Sequence, residues 1–123
     1  MNEKEKFITE FKLRTKKFAV DIISLCDNLK ATKAASVVAY QIIKSATSVD
    51  ANYRAACRGR SKAEFYSKIC IVVEEADETE YWLELILETN LSKKNLEVIR
   101  LLKESNEITK ILTKAKSTTY LNH

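Results

Sequence analysis

At 123 residues and 14.1 kDa, the chain is long enough to bury one hydrophobic core and too short for two. Its 46% hydrophobic and 31% charged residues exclude global disorder, while no proline and a single glycine exclude glycine-rich phosphate loops and turn-dense β architectures. The formal charge of +4 permits a polyanionic partner without requiring one.

Phe7, Phe11, Phe18, Ile22, Leu25 and Leu29 recur at separations that share one side of a helix, predicting a first helix over about 3–30. The pattern loses phase around Ala31 to Lys33. It resumes with Val38, Ile42, Ala46, Val49, Tyr53 and Cys57, predicting a second helix over about 33–58 that stops at Gly59 in a left-handed turn. Ser61 and Glu64 then stand at capping-box spacing, which starts a third helix over about 61–90 almost at once. Its stripe of Phe65, Ile69, Val72, Ala76, Leu83 and Ile86 is widened by Ile71, Val73, Tyr81, Trp82 and Leu85. Asn90, Leu91 and Ser92 break that run, and Val98, Leu101, Ile108, Leu112 and Ala115 predict a fourth helix over about 93–117, with a frayed tail from Thr118.

Links this short force neighbouring rods antiparallel, so the expected fold is all-α: a single-domain, up-down-up-down antiparallel four-helix bundle. The formal charge divides unevenly along the chain, with +2 over residues 1–32, +4 over 33–60, −6 over 61–90 and +4 over 91–123. In this topology the end of the second helix, the start of the third and the end of the fourth share one end of the bundle. Arg54, Arg58, Arg60, Lys62, Lys110 and Lys114 are therefore the candidate nucleic-acid-binding residues, with Lys68 and Lys116 near them and Glu80, Glu84, Glu88 and Asp27 toward the other end. Tyr66 and Tyr120 near this cluster suit stacked bases, although tyrosines at such spacing also serve as core and lysines at helix C-termini also complement the helix dipole. Antiparallel pairing sets Lys44 level with Glu75 and Asp77, and Arg54 level with Glu64, so Arg58 and Arg60 rank above Arg54 as phosphate contacts.

Other chemistry is thinly represented. The only histidine is His123, so neither a Ser-His-Asp nor a Glu-x-x-His arrangement can be assembled on the helices, and an enzyme or a cofactor is not expected. The acidic run Glu74, Glu75, Asp77, Glu78 and Glu80 comes from one helix and points several ways, unlike a cation cage. Ser45, Thr47 and Ser48 are expected to bond back to the preceding turn. Cys26, Cys57 and Cys70 lie at no metal-ligand spacing and read as buried thiols of a reducing cytosol. No stretch is apolar enough for a membrane span, and the expected location is the cytoplasm.

The stretch SATSVDANYRAACRGRSKAEF, followed by EEADETEYWLEL, resembles the four-helix-bundle family of proteins encoded by intervening sequences within bacterial 23S rRNA genes. Lys17-Phe18-Ala19 and Val38-Ala39 are similar to that family too, so the resemblance covers about residues 12–88. Lys44, Asp50 and Ala55 depart from its usual pattern, where arginine, a small residue and glutamate are commoner. The resemblance implies a cytoplasmic homopentamer that binds nucleic acid, with structured RNA favoured here. The accessory variability protein of diversity-generating retroelements looks like a relative, which implies a reverse-transcriptase accessory protein of a mobile element as one alternative; the other is a protein-interaction scaffold whose apolar patches recruit a partner while the basic charge serves solubility.

Overall fold

Three polar side chains take up the first free backbone N–H groups of three helices: Asn2 accepts from Glu5, Thr32 from Ala35 and Ser61 from Glu64, at 2.8, 3.1 and 3.1 Å. The computed structural model describes residues 1–121, and these caps open α1 (Glu3–Cys26), α2 (Lys33–Cys57) and α3 (Lys62–Glu88); α4 (Asn95–Leu121) completes the set. Each helix packs against its neighbours in sequence and α4 closes against α1, giving an antiparallel four-helix bundle. The predicted stripes form the core: Ile22 and Leu25 from α1, Ile42 and Val49 from α2, Ile69 and Leu83 from α3, and Leu101 and Ile108 from α4 are fully or almost fully buried. Leu29, Cys57, Phe65 and Ala115 are only half-buried at the edge of that core, and Phe7 is half-exposed and stacked on the buried Phe11 with ring centroids 5.7 Å apart. No helix among the described residues is long and apolar enough to cross a membrane.

The seams differ in chemistry. Between α2 and α3 the contact is close and small: Thr79 and Ser45 share a buried 2.8 Å hydrogen bond. Ser45 and Thr47 also bond back to the carbonyls of Ile42 and Ile43. Between α1 and α4, ion pairs take over. Arg14 makes two hydrogen bonds to Glu104, at 2.8 and 2.7 Å, and Arg100 reaches Asp21 at 2.9 Å. Asp50, one of the residues unusual for the family pattern, accepts from Thr15 across the α1–α2 seam at 3.1 Å.

Three element ends differ from the sequence-based expectation. α1 stops at Cys26 rather than near 30, because Asp27, Asn28 and Leu29 close tighter turns onto Ser24, Leu25 and Cys26, and Lys30 donates to Leu91 at 2.8 Å. Gly59 has no positive φ; the left-handed residue is Asn90, at φ 54°. Glycine eases a close approach at 59 instead, since a Cβ there would lie a tight 3.1 Å from the Ala56 carbonyl and 3.3 Å from the Phe65 nitrogen. α4 begins at Asn95, because Ser92 bridges to Leu29 and Lys93 donates to Asn28 at 3.2 Å, and it continues through Leu121 where a frayed tail was expected. Asn122 and His123 lie outside the described residues.

Candidate nucleic-acid interface

The turn between α2 and α3 brings four cations together within nine residues of chain: Arg54 in the last turn of α2, Arg58 as its C-cap, Arg60 in the turn and Lys62 as the first residue of α3. All four are exposed, and among the described residues none makes a salt bridge. The expected pairing of Arg54 with Glu64 does not form. Glu64 instead reaches back to accept the Arg60 N–H at 2.6 Å, so the only nearby α3 carboxylate is spent on shaping the turn. Glu3 and Glu5, in the first turn of α1, are the carboxylates α1 brings to this end.

Lys110 and Lys114 occupy a different height on the bundle. The Tyr66–Tyr120 ring contact and the Asn106–Glu80 hydrogen bond fix the register of α4 on α3, and this register sets Lys114 level with about Val72 and Lys110 with about Ala76. At 1.5 Å per residue they stand about 15 and 21 Å along the rod from the start of α3. Sequence reasoning placed them nearer the turn because it ended α4 near 117. The helix runs to Leu121, which sets Tyr120 level with Tyr66 and leaves even Lys116 about 12 Å along the rod from the start of α3.

Acidity is distributed along a face of α3 more than at the far end. Lys30, Lys33, Lys93 and Lys94 are exposed around the α1–α2 and α3–α4 loops, where they offset Asp27, Glu84, Glu88 and Glu97. Within the acidic run, burial, reinforced by Glu78, raises the Glu75 carboxyl above its ordinary range, against hydrogen bonding to Ser48 and the nearby charge of Lys44. This is the Lys44–Glu75 neighbourhood expected from the pairing of α2 with α3.

Beside the basic turn lies an open cleft of about 440 Å³, lined by Tyr66, Thr113, Lys116, Ser117 and Tyr120. The two tyrosine rings stand 5.9 Å apart at 42°, and Tyr120 is 65% exposed, so it is not a core residue. A hydrogen bond with Cys70 is the main cause that raises the Tyr66 phenol above its ordinary pKa. All three cysteines are free and half-buried rather than buried as expected, because each sits at the edge of a helix stripe, and burial pushes the Cys26 thiol up to about 11.

The 23S rRNA-intervening sequence protein model matches residues 10–114, nearly the whole bundle. The chain belongs to that family. A crystal structure of a protein of unknown function from the S23 ribosomal protein family of Bacteroides thetaiotaomicron is similar at 36% identity. The match covers 85% of this chain and 96% of that one, with a TM-score of 0.75. No curated protein matches. Family membership therefore agrees with the residues of α2 and α3 that carried the resemblance, and it extends the match through most of α4, where the sequence signal is weak.

Proposed function

We propose that this protein is a non-enzymatic, cytoplasmic RNA-binding protein that engages structured RNA through its α2–α3 turn. The observation carrying this reading is the group Arg54, Arg58, Arg60 and Lys62, exposed at one end of the bundle with no ion pair among the described residues. Guanidinium groups held on a helix end and a tight turn suit phosphate oxygens, and their attraction is led by charge and shape more than by base sequence. Self-association, as a homopentamer, would repeat this end around an axis and let weak single contacts add. Lys110 and Lys114, set back along α4, would meet a second stretch of backbone rather than the same phosphates.

Fluorescence anisotropy with a structured RNA tests the reading. Arg58→Ala combined with Arg60→Ala is expected to weaken unrelated RNA sequences similarly and to flatten the slope of log K against log salt by about 1 to 2, at roughly 0.7–0.9 per lost phosphate contact. Unchanged titrations in the double variant remove the turn from the interface. Light scattering together with an A260/A280 ratio on gently purified protein tests the assembly and the ligand at once. A protein partner retained after nuclease treatment, with no nucleic acid in the untreated control, would favour a protein-interaction scaffold or a reverse-transcriptase accessory protein.

A further inference from the structure

The Tyr66–Tyr120 cleft has about 440 Å³ of open volume, and its lining contains two phenol rings, two aliphatic hydroxyls, one ammonium and no carboxylate. Its position relative to the cations is ordered. Lys62 lies four residues before Tyr66 on α3, and Lys116 four residues before Tyr120 on α4, so each tyrosine has a cation one turn away on its own helix face. Because the two helices run antiparallel and the rings sit at the same height, the two lysines flank the ring pair from opposite sides along the rod axis. Lys62 stands toward the basic turn and Lys116 toward mid-bundle, each about 6 Å of helix rise from its ring.

Cation, aromatic surface, cation is the order in which a nucleic-acid strand presents phosphate, base, phosphate. A duplex keeps its base faces stacked inside and can offer this cleft only phosphates. A loop or bulge nucleotide can turn its base out. The rings are too close together for a base to enter between them, so the receptive surface is the open side of the tilted pair, chiefly Tyr120. The Ser117 and Thr113 hydroxyls lie about one and two turns back along the Tyr120 helix, within the same cleft, and can exchange hydrogen bonds with a base edge or a ribose. The Tyr66 ring is half-buried against the bundle, which leaves the exposed Tyr120 as the adaptable half of the pair.

We propose that the Tyr66–Tyr120 cleft, flanked by Lys62 and Lys116, stacks one unpaired nucleobase of the bound RNA, an inference that rests on the RNA-binding reading above. The site adds a preference for looped or bulged RNA over blunt duplex that the Arg58–Arg60 turn alone does not supply.

The experiment compares a hairpin carrying 2-aminopurine in its loop with a blunt duplex of equal phosphate number. The wild-type protein is expected to bind the hairpin more tightly and to quench the 2-aminopurine. Tyr120→Ala, at an exposed helix-end position, is expected to weaken the hairpin about tenfold and abolish the quench, leaving the duplex unchanged, whereas Tyr120→Phe keeps both. Circular dichroism confirms that the variants fold. Equal hairpin affinity and quench in wild type and Tyr120→Ala would overturn the stacking site. If Arg58→Ala with Arg60→Ala still weakened both ligands, the broader reading would stand without it. No binding of either ligand at low salt would remove the RNA-binding reading itself, and the stacking site with it.

Discussion

The two ends of the bundle handle their polar groups in opposite ways. At the loop end, the α1–α2 and α3–α4 connections are sewn together through the backbone: Lys30 donates to Leu91 at 2.8 Å and Lys93 to Asn28 at 3.2 Å, with Leu91 and Ser92 buried between them. Asn90 and Leu91 return hydrogen bonds to Leu87 and Ile86, the paired pattern of a Schellman ending. At the turn end the backbone is satisfied within a few residues, by Ser61 and Glu64, and the charged side chains face outward without carboxylate partners. At the loop end the backbone is consumed by holding the fold, and the exposed lysines stand among carboxylates of about equal number. The turn end is left available, and this contrast supports an external ligand at the α2–α3 turn more firmly than net charge does.

Stability measurements can break that contrast. Ile86 is fully buried beneath the loop end, so Ile86→Ala is expected to cost about 2–5 kcal/mol in urea unfolding. Arg58→Ala with Arg60→Ala is expected to stay within about 0.5 kcal/mol of wild type, since exposed unpaired cations add little to folding. Should the arginine variant lose as much as Ile86→Ala, the turn would be a structural element and the division between the ends would disappear.

A smaller effect sharpens the picture at a single residue. Asn90 sits at φ 54°, where a β-carbon meets the following carbonyl, so Asn90→Ala is expected to cost about 1 kcal/mol while Asn90→Gly is nearly neutral. Equal stability of the two would mean that the left-handed residue does not set the ending of α3.

That residue also marks where the sequence was legible and where it was not. The four stripes were readable because a 3.6-residue period survives any tertiary detail, and Ser61 with Glu64 announced the start of α3 through side-chain chemistry alone. Gly59 and Asn90 were harder to tell apart. Both residue types tolerate a left-handed turn, and which one adopts it depends on how the chain must travel next: straight back after Gly59, across to the other loop after Asn90. The height of Lys110 and Lys114 was hidden for a similar reason. Thr118 and Thr119 read as weak helix formers, yet Thr119 bonds back to Ala115 at 2.7 Å and Tyr120 meets Tyr66, so contacts from α3 carry α4 further than its own propensity suggests. The Arg54–Glu64 pairing failed because a nearer backbone N–H won the carboxylate.

The smallest expected effect concerns the α1–α4 seam, which spans the distance between the two ends. Burial pushes the Asp21 carboxyl up, but hydrogen bonds from Arg100 and Lys17, with their charges, outweigh it and leave the group below its ordinary range. A carboxyl depressed in the folded state contributes stability that is fully present above the unfolded value, about 3.9, and is lost as pH falls through the lower folded value. Glu75, raised by burial and by Glu78, has the opposite sign: its ionisation opposes folding at neutral pH, and acid relieves that cost. Urea midpoints taken from pH 7 down to pH 3 should therefore separate two variants by the direction of change. Asp21→Asn is expected to soften the acid loss and Glu75→Gln to steepen it, each by about a few tenths of a kcal/mol because both groups are partly solvated. Parallel acid limbs in the two variants would mean that neither carboxyl differs from the unfolded chain, and the seam would then be held by packing rather than by its ion pairs.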